Sequence, residues 1–300
     1  KIYNSTLNHL FFPFFCIYIK FYNDIRKKLN RMLQIGKINE LEITHRVDFG
    51  LYLDGGEAGE ILLPLKYASR DMKPGDKIEV FIHRDSEDRL IATTETPFAQ
   101  VGEFAFLKVK ATNNVGAFLD WGLAKDLLVP FREQKVRMQP NRYYTVYVFL
   151  DDETQRIVAS AKLQKFLDNK IPNVKAGDEV KARIYQETDL GYKVIVNDLF
   201  SGLIYHNQIY CDVNIGEVHY ATVRTVRHDG KIDLILGKST RNRVTDLADD
   251  ILDYIQECGG KMTLSDSSSP EEIREIFQCS KKDFKKAIGA LFKEKQILIE

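Results

Sequence analysis

The residues with the most chemistry to offer are aromatic rings that recur beside cations. Phe49 and Tyr52 flank Gly50 and Leu51, and Arg89 follows ahead of a short apolar run. Phe118 repeats the ring with Arg156 behind it, and Tyr192, Lys193 and Tyr205 repeat the mixture with Lys231. Rings on an open sheet face stack on unpaired bases, at about 1–3 kcal/mol per base, while neighbouring cations hold phosphates. Tyr192 is the least secure of the set, because period-two alternation can turn it to the opposite face from Lys193. The plain alternative is that these rings fill interiors; a cation closing each copy favours a recognition surface. Near the C-terminus, Lys281, Lys282, Lys285 and Lys286 are candidates for phosphate contacts, with a solvated helix face as the alternative.

Catalysis finds no comparable constellation. The histidines (His9, His45, His83, His206, His219 and His228) are scattered. Asp151-Asp152 and Asp54-Gly55-Gly56-Glu57 fall where turns are expected, and turns favour such residues anyway. No glycine-rich loop leads into a helix through Lys-Ser/Thr, so there is no P-loop. Cys16, Cys211, Cys258 and Cys279 form no CxxC pair and lack histidine at zinc spacing, which reads as free thiols in a reducing cytoplasm. The expectation is a non-enzyme with no cofactor, no metal and no small-molecule substrate.

The elements that must carry the rings are repeated. Val47–Pro64, Val115–Pro130 and Leu190–Tyr205 each hold a glycine (Gly50, Gly116, Gly191), an apolar or aromatic strand, a polar turn and a short aliphatic run. The interval of about 70 residues exceeds a solenoid repeat and indicates tandem small domains. Each copy continues into a further strand, a turn and a last strand opened by Arg89, Arg156 or Lys231. Five short strands per copy predict a small barrel, since closure removes two exposed edges. After Thr240 the period changes to about 3.6, with Val244, Leu247, Ala248, Ile251, Leu252 and Ile255 on one face up to Gly259-Gly260. A second helix over 271–277 and a third over 281–293, with Phe284, Ile288, Leu291 and Phe292 inward, precede a final strand over 296–300. Leu163–Lys170 reads as a short helix or linker.

Of 300 residues, 44% are hydrophobic and 29% charged, with 43 basic residues against 43 acidic ones. That is ordinary globular composition, and it argues against coating nucleic acid by bulk charge, though local basic faces remain open. The apolar run over 10–19 is too short for a bilayer-spanning helix, which needs about 20 residues, and no stable membrane association is expected. Residues 1–31 read as an extension foreign to the rest, with Met32 directly before the first strand.

The repeats resemble S1-type RNA-binding domains, five-stranded OB-fold barrels with a Phe-Gly-x-Phe strand, a Gly-Leu-Val-His run and a basic residue opening the last strand. Phe49-Gly50-Leu51-Tyr52 fits the first motif well, Gly116-Ala117-Phe118 keeps half of it, and Gly202-Leu203-Ile204-Tyr205 best preserves the second. Three such modules before a short-winged winged helix resemble the conserved virulence factor B family of bacterial RNA-binding proteins. The resemblance implies a mainly β fold: an extension (1–31), S1-like OB barrels at 32–97, 98–165 and 172–240, and an α+β winged helix at 243–300. It also implies single-stranded RNA as the partner, influence on gene expression after transcription, and a cytoplasmic location. The alternative is a transcription regulator that binds DNA through the winged helix.

Overall fold

The computed structural model of the protein describes residues 33–168, 172–237 and 240–298, without the side chains of 240–243. The extension expected at 1–31 lies outside the described residues. The chain divides into two compact units between Ala161 and Lys162.

The first unit holds two barrels. In the first, β1 (Ile38–Val47), β2 (Gly50–Asp54), β3 (Glu60–Pro64), β4 (Lys77–Arg84) and β5 (Leu90–Thr93) close in the order β1-β2-β3-β5-β4. In the second, β6 (Phe104–Thr112), β7 (Gly116–Asp120), β8 (Leu127–Pro130), β9 (Tyr143–Leu150) and β10 (Ile157–Ser160) close in the equivalent order. The contact of third strand with fifth is parallel and the others antiparallel. This is the OB arrangement expected from the sequence. Alternation builds each core: Leu51, Leu53, Ile61, Leu63, Val80 and Ile82 point inward in the first barrel, with Leu119, Leu127, Val129, Val146 and Val148 in the second. Phe81 of β4 packs into the second barrel's cluster, where it meets Trp121 edge-on at 5.6 Å. The two barrels are therefore joined by shared apolar surface as well as by chain.

Three local devices recur. A side chain at Gly50, Gly116 or Gly191 would press on the backbone oxygen of Leu63, Val129 or Ile204, so the second strand can cross the third only where Cβ is missing. An extra residue interrupts the first strand of every barrel at Thr44, Lys110 and Tyr185. Such bulges bend a strand and re-aim its side chains. Finally, the hairpin before the last strand closes through a backbone N–H donated to the oxygen of Arg89, Arg156 or Lys231. These cations thus end the turn, one residue before the strand they were expected to open. The residue before each is left-handed: Asp88, Gln155 and Gly230.

The second unit begins with a 3-10 turn at Leu163–Lys165 where a short helix or linker was expected. Its barrel comprises β11 (Glu179–Thr188), β12 (Gly191–Val196), β13 (Phe200–Tyr205), β14 (Val218–Val226) and β15 (Ile232–Leu236), closed in the same order. The helices are α1 (Thr240–Glu257), α2 (Pro270–Phe277) and α3 (Lys281–Lys293). Leu247, Ile251, Ile273, Phe284, Ala287, Ile288 and Leu291 form their core, and this helical part fits a winged helix. Ser269 caps α2 with Glu272 in a reciprocal capping box, and Ser280 caps α3.

Two expectations are corrected. Phe292 is 51% exposed rather than inward, because it sits about 80° around the helix from Phe284, at the margin of the buried stripe. Ala287 fills the stripe on its other side. The expected strand over 296–300 is absent from its described part: Lys295 turns left-handed, and Gln296, Ile297 and Leu298 form no ladder. Ile297 still packs against the helical core, so the segment satisfies its apolar pattern without pairing.

Candidate nucleic-acid interface

On each barrel the residues facing away from the core line up across strands one, two, three and five. The first barrel aligns His45, Tyr52, Leu62 and Ile91. The second aligns Ala111, Phe118, Leu128 and Val158. The third aligns Gln186, Lys193, Leu203 and Asp233. Register makes Tyr52, Phe118 and Lys193 equivalent, each two residues beyond the crossing glycine.

The first row carries the most ring surface. His45 stacks on Tyr52 at 4.9 Å and 23°, and Phe49 stands edge-on to Tyr52 at 6.3 Å and 83°. Phe49 is 58% exposed, so its faces are open to a ligand. The bulge at Thr44 explains why His45 is there. Counted by twos from the buried Ile43, His45 would point inward; the extra residue turns it outward to face Tyr52. His45 also reaches Glu60 at 3.3 Å.

The second row keeps one ring, half-buried Phe118. In the third, Lys193 replaces the ring, and Tyr192 packs against the barrel core beside His206. Tyr192 and Lys193 therefore occupy opposite faces, and burial pushes the Tyr192 phenol above its ordinary range. Tyr205 takes the place held by Pro64 and Pro130 in the other barrels. Its hydroxyl accepts from Arg227 at 2.6 Å, and Arg227 in turn grips Asp233 with two hydrogen bonds.

The three turn-closing cations lie beside these rows, and all are paired. Arg89 contacts Asp85 and Glu87 at 2.8 and 2.9 Å, and the hydrogen bond it donates to Asp85 leads in raising its pKa. Lys231 meets Asp229 at 2.7 Å. Arg156 makes a two-pronged contact with Asp88 of the first barrel, at 2.8 and 2.9 Å. Exposed pairs of this kind are weak and screened by salt, so a phosphate can displace a carboxylate at little cost.

Two cations missed in the sequence, Arg84 and Lys125, have no carboxylate within ion-pair distance among the described residues. Arg84 donates to the Gln155 carbonyl at 3.2 Å, and Lys125 to the carbonyls of Arg84 and Asp85, both at 3.3 Å. With His83, Phe118, Trp121 and Leu128 they border a cavity of about 140 Å³ between the first and second barrels. Nothing in the sequence signals this grouping, because its members come from both barrels.

On α3, Lys281 donates to the Ser268 carbonyl at 2.7 Å, Lys285 lies 3.7 Å from Asp266, and Lys286 lies 3.8 Å from Asp283. Lys282 is exposed. Among the described residues no group of three or more His, Cys, Asp or Glu could hold a metal ion, and no helix is long and apolar enough to cross a membrane.

Barrels of this order ahead of a small helical domain define a class, and comparison with known proteins agrees. An S1 domain matches residues 35–95, and a CvfB-like winged helix domain matches residues 249–300. These are nucleic-acid-binding types of domain. The resemblance to conserved virulence factor B, drawn from the order of modules, is borne out by both matches and by relatives along most of the chain. Conserved virulence factor B of Staphylococcus haemolyticus (strain JCSC1435) is 28% identical over 278 residues, covering 89% of this chain and 92% of its own length. Protein YitL of Bacillus subtilis (strain 168) is 28% identical over 286 residues, covering 92% and 94%. A crystal structure described as a multidomain protein with nucleic acid binding domains, from Streptococcus pneumoniae TIGR4, is 24% identical. It covers 89% of this chain and 96% of its own, with a TM-score of 0.39.

Proposed function

We propose that the protein binds single-stranded RNA, without catalysis, in a bacterial cytoplasm, and so influences gene expression after transcription. The observation that carries this reading is the cluster of exposed His45 and Phe49 with half-buried Tyr52 on the outward face of the first barrel, with Phe118 in the place equivalent to Tyr52 on the second. Rings so placed suit unpaired bases, which offer π-faces that a duplex keeps stacked. Lys193 and Tyr205 extend the surface on the third barrel, and Arg89, Arg156 and Lys231 serve phosphates by exchanging their carboxylate partners. Several weak sites on one chain add avidity through effective concentration.

The test is a titration of labelled single-stranded RNA and of duplex DNA at two salt concentrations, followed by the same titrations after deleting 243–300. Single-stranded RNA should bind, weaken with salt and survive the deletion. Duplex DNA binding that vanishes with the deletion, with no binding of single strands, would overturn the proposal in favour of a DNA-binding regulator.

A further inference from the structure

We infer that the cavity between the first and second barrels is a seat for one unpaired pyrimidine base of the bound strand, with Arg84 and Lys125 holding its phosphate. The inference rests on the single-strand reading above and adds a location and a base preference to it.

Size comes first. The cavity holds about 140 Å³, close to the roughly 150 Å³ apolar cavity known to admit a benzene ring. One six-membered ring occupies most of it, and a fused purine must project further toward its open mouth. The lining suits a ring as well. Phe118, Leu128 and Val158 are consecutive members of the second barrel's outward row, and Trp121 and Ile157 add apolar surface. The cavity thus lies on the same surface as the row proposed to stack bases.

Charge and polarity give the base an orientation. Arg84, Lys125 and Arg156 border the cavity against a single acid, Asp126, which is itself engaged by Lys110 at 2.9 Å. Arg156 is paired with Asp88 of the first barrel, a contact that links the two barrels. Arg84 and Lys125 are held only through backbone carbonyls, so their charge is available to a phosphate. His83 supplies the polar edge. Its Nδ1 lies 3.2 Å from the Arg84 carbonyl, an acceptor only, so Nδ1 carries the proton and Nε2 is the acceptor of the neutral ring. Burial, with Lys125 nearby, lowers the His83 pKa and keeps the ring neutral. An accepting nitrogen matches the N–H donors on the pairing edges of uracil and cytosine.

The chain's single tryptophan, Trp121, lines this cavity, so its fluorescence reports directly on occupancy. The full chain is titrated with fluorescein-labelled oligouridylate and oligoadenylate of about twelve nucleotides, within the span of one to a few OB sites. Strand binding is read by anisotropy, and the seat by tryptophan emission with unlabelled strands. Oligouridylate should change the emission saturably and bind several-fold tighter than oligoadenylate, which should bind with little change in emission. Leu128→Glu, at an outward position, should abolish the emission change and the preference while leaving residual binding to both strands. Lys125→Ala, on an exposed turn, should weaken oligouridylate about three- to tenfold and lower the salt slope by roughly 0.7. Strand binding that leaves Trp121 emission unchanged, or that keeps its preference in a folded Leu128→Glu variant, overturns the seat and spares the wider reading. Absence of any single-strand binding overturns both.

Discussion

Removing the first barrel's open rings separates stacking from charge. Consider Phe49→Ala combined with Tyr52→Ala. His45 covers one face of Tyr52, so that ring offers a base only its other face, and Phe49 is nearly perpendicular to it. The pair therefore serves at most about one base each. At about 1–3 kcal/mol per stacked base, and with a half-buried Tyr52 giving less than an open ring, the double variant should lose roughly 10- to 100-fold in affinity for single-stranded RNA. Neither side chain is charged, so the slope of log affinity against log salt should not move, whereas removing one phosphate-binding lysine flattens it by about 0.7. The fold should persist: Phe49 is largely exposed, and the lost His45–Tyr52 pair is worth only about 0.5–1.5 kcal/mol. Fluorescence anisotropy across four salt concentrations, with thermal melts as control, measures all three quantities. Unchanged affinity in a folded double variant, or a loss accompanied by a flatter slope, would refute stacking as the source of binding.

Other expectations concern the scaffold. Gly116→Ala drives a Cβ onto the Val129 backbone oxygen, and overpacking against an atom that cannot rotate away should cost about 1–3 kcal/mol or more in urea unfolding; a midpoint equal to the parent's would count against the crossing argument. Gln155→Gly should raise the unfolding free energy by up to about 1 kcal/mol, because Gln155 sits at φ 53 where the third barrel already has Gly230; a lowered midpoint would mean that its side-chain contact outweighs the strain. Burial, with Asp283 and Asp250 nearby, pushes the Cys279 thiol up to about 11, leaving roughly one thiolate in a thousand at pH 8. Iodoacetamide should therefore label exposed Cys258 well before Cys279, and Cys279 labelling should accelerate as pH rises toward 11. Equal rates at pH 8 would show that Cys279 is not shielded.

What could be read in advance follows from the range over which each feature is encoded. The barrels were legible because alternation and turn residues act within a few positions, and because the crossing glycines repeat for a steric reason that each copy shares. Phe49, Tyr52 and Phe118 were visible for the same reason, as was the doubt over Tyr192, whose register equivalents are the core residues Leu51 and Ala117. His45 was hidden because a single extra residue at Thr44 reverses the parity of everything after it, and nothing in Ile43-Thr44-His45 announces a bulge. The pairing of Arg156 with Asp88 was hidden because it is made across two barrels, each of which reads as complete alone. The same contact changes what the second barrel can do. Arg156 can meet phosphate only by giving up this contact between barrels, whereas Arg84 and Lys125 stand near Phe118 with no carboxylate to exchange among the described residues. Recognition in this unit is thus better ascribed to the pair of barrels than to either one, and separating them should cost more binding than the sum of their isolated rows suggests.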